Sequence, residues 1–130
     1  MSKEFRIIDI WVGNFQSMED VNEYLKESYD EDDQSISQFA GDMEESSYDH
    51  DFLEHSFNDT PDRPLSARLS NHSFSGSYAE AAQAAFDAAP TEHFNTVLLV
   101  WGAQFENPVS IKRDGYWLRY LGRFPCKPGA

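Results

Sequence analysis

The chain has 130 residues, the length of one domain spanning 1–130, and at 40% hydrophobic and 15% aromatic it is too apolar to remain disordered. Its formal net charge is −13 at pH 7, and the acid is concentrated in one half: residues 1–62 hold 18 Asp and Glu against 3 Lys and Arg, residues 63–130 hold 5 against 7. A field of that sign repels phosphate backbones, which argues against direct nucleic-acid binding, and it steers in a basic protein partner, although acidic surface also serves solubility alone.

The opening MSKEFRIID lacks the long apolar segment of a signal peptide, and no run approaches the roughly 20 apolar residues of a membrane span, so a soluble cytoplasmic protein with no membrane partner is expected. FRIIDIWVGNF (5–15) is mostly apolar and β-branched, with Arg6 and Asp9 as its only charges before the Gly13-Asn14 break, and predicts a buried or half-buried strand. Ser17 can then cap a helix over 18–28, with Glu19 and Asp20 in its first turn and Val21, Tyr24 and Leu25 at i, i+3 and i+4. YDEDDQ (29–34) predicts an exposed loop, because its four consecutive acids repel one another. Ser35 is the predicted cap of a second, shorter helix carrying Ile36, Phe39, Ala40 and Met43 on one face and Asp42, Glu44 and Glu45 on the other, weakened by Gly41.

NDTPDRP (58–64) is a turn or loop, and LSARLSNHSF (65–74) is ambiguous, a helical turn followed by an irregular segment. Ser77 and Glu80 form a capping-box pattern ahead of the alanine-rich YAEAAQAAFDAA helix, which Pro90 stops. NTVLLVWGAQF (95–105) predicts a central strand; GYWLRYLGRF (115–124) predicts another, with PVSIKR (108–113) pairing to it through an Asp114-Gly115 hairpin turn. Trp11, Trp101 and Trp117 lie in these strands and read as packing residues. The lone Cys126 excludes an internal disulfide and suits a reducing compartment. The sum is an α+β domain, a sheet of four or five strands packed with two or three helices.

The chemistry-bearing stretch is YDHDFLEHSF (48–57). His50 and His55 with Asp49, Asp51 and Glu54 supply suitable metal-ligand types, and a metal-dependent or acid/base enzyme using His50, Asp51, Glu54 and His55 is the alternative reading. Its spacing is unfavourable: residues five apart diverge by about 140° on a helix and occupy opposite faces of a strand. The helical pairs His50–Glu54 and Asp51–His55 offer two ligands each. A calcium loop from Asp30 fails, because Ser35 stands where glycine is needed and Gly41 where a bidentate glutamate is needed. SFSGSY (73–78) lacks a nucleophile elbow, and His72 beside it is a local neighbour rather than a triad member. No catalytic residue, metal or cofactor is assigned. The same acids suit a protein interface: Asp30, Glu31, Asp32 and Asp33, continued by Asp42, Glu44 and Glu45 and then by Asp49, Asp51 and Glu54, with Tyr29 and Tyr48 interleaved as anchors. Among the aromatics there, Tyr48, Phe52 and Phe57 suit the core better than an interface.

WVGNFQSMEDVNEYLKESYDEDDQSISQFAGDMEESSYDHDFLEH, followed by NTVLLVW and YLGRFP, resembles the immunity protein 22 family of bacterial polymorphic toxin systems, from about Ile7 to Pro125. The matching positions include Trp11, Gly13, Phe15, Tyr29, Asp30 and Phe39, then Asp42, Tyr48, Asp49, Asp51, Phe52 and Glu54; the alanine-rich helix and the CKPGA tail have no counterpart. The resemblance implies an α+β protein without catalytic residues that binds and neutralises a cognate toxin. A basic toxin, such as a nuclease, would suit the acidic half. A generic acidic adaptor that binds no toxin is the third reading.

Overall fold

A computed structural model describes residues 7–26, 28–29, 35–43, 53–58, 64–70, 72, 75–88, 93–102 and 105–125. In chain order the elements are β1 (Ile7–Asn14), α1 (Met18–Leu25), the two-residue strands β2 (Ser28–Tyr29) and β3 (Ser35–Ile36), α2 (Gln38–Asp42) and β4 (Leu53–Phe57). There follow α3 (Leu65–Leu69), a 3-10 turn at Ser75–Ser77, α4 (Ala79–Ala88), β5 (Thr96–Trp101), β6 (Ile111–Arg113) and β7 (Tyr116–Pro125). Five strands form one antiparallel sheet in the order β4-β5-β1-β7-β6, while β2 and β3 pair as a separate ribbon.

Burial on both faces explains why β1 and β5 are almost continuously apolar rather than alternating. Ile8, Ile10 and Val12 point to one side, where Leu65, Leu69 and Tyr78, Ala82 of α4, and Val97 and Leu99 of β5 complete a core. Trp11 and Phe15 point to the other, against Val21, Tyr24 and Leu25 of α1, Phe39, Ala40 and Met43 of α2 and its C-terminal end, and Leu98, Val100, Phe105 and Leu118. The sheet is therefore the middle layer, with α1 and α2 on one face and α3 and α4 on the other. The rings of Trp11, Phe39 and Phe105 meet edge to face at 5.2–5.9 Å, a geometry that aromatic quadrupoles favour.

Gly13 is required by close approach: a Cβ there would lie 2.5 Å from the Trp117 carbonyl and 2.7 Å from Leu118 Cδ2. The following turn is held by Asn95, whose amide accepts from Phe15 N at 3.0 Å and donates to Phe15 O at 2.8 Å, pairing with the backbone as a strand would.

The α+β class and the central strands match expectation, and Trp11 and Trp101 are buried while Trp117 is half-buried. Ser17 caps α1 by accepting from Asp20 N at 3.1 Å, but the helix ends at Leu25 because Lys26 turns to an extended conformation. The cap of the second helix is Ser37, not Ser35, its hydroxyl accepting from Ala40 N at 3.1 Å. Ser35 and Ile36 pair with Tyr29 and Ser28, so neither can begin a helix, and Tyr29 belongs to this ribbon rather than to the loop. Ser77 closes the 3-10 turn, and the alanine-rich helix begins at Ala79. There are four α-helices among the described residues, one more than expected; the addition is α3, a single turn in the ambiguous segment. No helix among the described residues is long and apolar enough to cross a membrane.

Candidate functional site

The face covered by α1 and α2 carries two aspartates, each held by tyrosine and arginine. Asp9 on β1 is fully buried, and its Oδ1 accepts from Tyr120 Oη at 2.5 Å and from Arg123 Nε at 2.9 Å. Its Oδ2 accepts from Arg123 Nη2 at 2.9 Å, and that nitrogen also donates to the Phe105 carbonyl at 2.9 Å. The bidentate fork of Arg123 satisfies a carboxylate that burial would otherwise penalise heavily. Burial first, and then the bond to Asp9, push the Tyr120 hydroxyl well above its ordinary pKa.

Asp42, at the end of α2, is the second centre. Its Oδ2 accepts from both Tyr24 Oη and Tyr116 Oη at 2.8 Å, and its Oδ1 from Arg113 Nη2 at 3.1 Å. Tyr116 in turn accepts from Gln38 Nε2 at 3.0 Å. Burial and the Asp42 charge push Tyr24 far above the usual tyrosine range; Tyr116 is raised by burial and its bond to Asp42, and Arg113 chiefly by its bond to Asp42. Both phenols thus remain protonated donors to a carboxylate whose two oxygens are occupied.

Beside this cluster opens a cleft of about 320 Å³ lined by Phe15, Gln16, Asp20, Glu23, Tyr24, Gln38, Asp114, Gly115 and Tyr116. It lies between α1, the start of α2 and the β6–β7 turn. Phe15 and Tyr116 stack at 4.8 Å with their planes 7° apart, and Tyr24 tilts against both. Gly115 closes the turn with φ of +91°, a conformation that glycine adopts without strain. The hairpin was legible in the sequence, but the cleft was not. Arg113 and Tyr116 face each other across the turn as its register requires, whereas nothing local links them to Asp42 or Tyr24.

Of the acids expected to form one rim, Asp30, Glu31, Asp32, Asp33, Glu44, Glu45, Asp49 and Asp51 lie outside the described residues, as does Tyr48. The two described acids point to opposite faces of the sheet. Asp42 is turned inward, its side chain 10% exposed. Glu54 lies on edge strand β4, where Leu53 and Phe57 pack under α1 and α2, so Glu54 and Ser56 project to the other side. There His72 Nδ1 meets Glu54 Oε1 at 2.9 Å and its Nε2 meets Ser56 Oγ at 3.0 Å. With the proton on Nδ1, both ring nitrogens of a nearly buried imidazole are satisfied. The order carboxylate, imidazole, hydroxyl is also that of a hydrolytic relay, which needs an oxyanion site in addition; satisfying a buried histidine accounts for the arrangement on its own.

His50 and Asp51 lie outside the described residues. The helical spacing considered for Glu54 and His55 does not apply, because both sit on a strand and project to opposite faces. Among the described residues, no three His, Cys, Asp or Glu side chains come together as a metal site. Exposed acids among the described residues are instead Glu19, Asp20 and Glu23 on the outer face of α1, Glu80 and Asp87 on α4, and Glu106 and Asp114 in loops.

No curated protein and no solved structure matches this chain. A family model described as Immunity protein 22 matches residues 8–125, from the central strand to the end of β7, and both aspartate clusters, the cleft and all of the acidic half from residue 8 onward fall inside it. By that match the chain belongs to the Immunity protein 22 family.

Proposed function

We propose that this protein acts as a single domain in the cytoplasm, binding a cognate toxin in a stoichiometric complex and neutralising it without catalysis. The observation that carries this reading is the family match over residues 8–125. The charge split supports the mode of binding: 18 acids against 3 bases before residue 63 steer a basic partner into contact. A nuclease is the toxin class that fits best, since a surface built for phosphates is basic and an acidic protein can occupy it as a mimic of nucleic-acid charge. The proposed toxin-facing acids are Asp30 to Asp33, Glu44, Glu45, Asp49 and Asp51, with Tyr29 and Tyr48 as anchors. Asp42 and Glu54 are already bonded within the fold and contribute chiefly by holding it.

The test uses the cognate toxin, to be sought in the gene beside this one. Charge reversal at Asp30 to Asp33, and separately at Asp49 and Asp51, is expected to slow association roughly tenfold or more at low salt, with the difference closing as salt rises. Glu54 is left unchanged in these variants, because its bond to His72 would confound binding with folding. Wild-type association rates and salt dependence in both variants would remove the acidic-face model.

A further inference from the structure

The cleft beside Asp42 has features that a merely solvated acidic face lacks. It is lined by Asp20, Glu23 and Asp114, all exposed, and among the described residues that line it there is no lysine or arginine. Two cations on the adjoining elements are engaged: Arg113 is turned to Asp42 Oδ1 at 3.1 Å, and Lys26 approaches Glu23 at 3.9 Å with both side chains about 70% exposed. The latter pair is weakly held and readily exchanged. The floor is aromatic, made by Phe15, Tyr24 and Tyr116, of which only Tyr116 is partly exposed. A volume of about 320 Å³ lies at the small end of ligand sites, which suits one side chain rather than a folded segment.

Resting on the toxin-binding reading, we infer that this cleft seats a guanidinium group, that of an arginine presented by the bound toxin. A guanidinium is planar and weakly hydrated, so it can lie against the Tyr116 ring while its edge N–H groups reach the carboxylates. A lysine ammonium would have to shed a tighter hydration shell and has no planar face to stack, so the site discriminates between the two cations. The walls are pre-set, because Tyr24 and Tyr116 are fixed by their bonds to Asp42 and Gln38. Seating the arginine therefore costs little ordering of the protein.

The experiment titrates the full chain, followed by NMR, with a capped glycyl-arginyl-glycine peptide, its lysyl counterpart and the uncharged citrulline counterpart. The arginine peptide is expected to give saturable shifts of the Gly115 amide and of the Gln16 and Gln38 side-chain amides, with the lysine peptide several-fold weaker and no saturation with citrulline. The triple variant Asp20→Asn, Glu23→Gln, Asp114→Asn is expected to weaken the arginine peptide about tenfold or more. These positions are exposed, and Ser17 caps the Asp20 backbone rather than its side chain, so the variant keeps the fold. Equal binding of citrulline and arginine peptides, or unchanged binding by the triple variant, overturns the proposal. The cognate toxin separates this inference from the functional reading. Toxin affinity unchanged in the triple variant, with peptide binding lost, overturns the assignment of the cleft to the toxin and leaves the immunity reading standing. Saturable arginine binding in the cleft, with no toxin bound by the wild type, keeps the guanidinium site and sinks the toxin as its source.

Discussion

Asp9 and Asp42 sit on the same face of one sheet, each bonded to a tyrosine hydroxyl and an arginine, yet they perform different tasks. Asp9 is fully buried, and its side-chain partners Tyr120 and Arg123 both come from β7, which pairs with β1 beside it. The cluster joins adjacent strands across the point where their pairing shifts, between Ile10 and Trp11. Asp42 instead draws partners from α1, β6 and β7, and its arginine is 53% exposed against 36% for Arg123. One cluster locks a register inside the sheet; the other gathers three elements at the rim and shapes the wall of a cleft. The same chemistry becomes structural or site-forming according to how many elements it joins and how much water reaches it.

The largest effect expected from this contrast is at Arg123. Arg123→Met leaves the Asp9 carboxylate fully buried with Tyr120 as its remaining side-chain donor among the described residues. Removing one partner of a buried pair costs about 3–5 kcal/mol, and the lower end applies because Arg123 is itself partly exposed. Urea unfolding is expected to show a lower midpoint with unchanged slope, and Asp9→Asn combined with Arg123→Met to recover part of the loss by removing the stranded charge. A double variant less stable than the wild type by the sum of the two single losses would show that the two residues act independently.

An intermediate effect is expected at Asp42. Asp42→Asn weakens the bonds from Tyr24, Tyr116 and Arg113 without emptying the site, at a cost of about 1–2 kcal/mol. The same variant has a signature in alkali. Tyr24, Tyr116 and Tyr120 all have pKa values raised by folding, so the unfolded chain gives up those protons first, near the ordinary value of about 10. The stability they confer is complete below that pH and falls as pH rises above it. Absorbance titration should accordingly show Tyr24, Tyr116 and Tyr120 ionising late, with unfolding. In Asp42→Asn, Tyr116 should ionise earlier and Tyr24 should remain high through burial alone, while Tyr120 is unmoved.

The sheet was largely readable because its signals are local. Burial on both faces writes almost continuous apolar runs at 7–14, broken by Asp9, and at 96–101, and Asp114-Gly115 announces its own hairpin. Edge strand β4 escaped because Glu54, His55 and Ser56 interrupt its apolar residues, and Glu54 and Ser56 are accommodated by His72, 18 and 16 residues away. Ser35 and Ser37 are equivalent as caps by local chemistry; the pairing of Ile36 with Ser28 decides between them. The acidic rim failed as a single surface for the same kind of reason. Sequence records that Asp42 and Glu54 are charged but not which way they point, and Asp42 turns inward for hydroxyls 18 and 74 residues distant.

The smallest expected effect is the sharpest check on the comparison. Arg113 and Arg123 each bond an aspartate beside a tyrosine, so counting ion pairs would assign their loss similar consequences. Arg113 is more than half exposed and makes one bond at 3.1 Å, and Asp42 keeps two tyrosine donors without it. Water can replace the guanidinium at that oxygen, so Arg113→Met is expected to leave the urea midpoint within experimental error. Removing a cation beside the cleft should at the same time strengthen arginine-peptide binding slightly at low salt, an effect that vanishes as screening increases. A loss of stability at Arg113 comparable with that at Arg123 would mean that water does not reach Asp42, and the distinction between a register lock and a site wall would collapse.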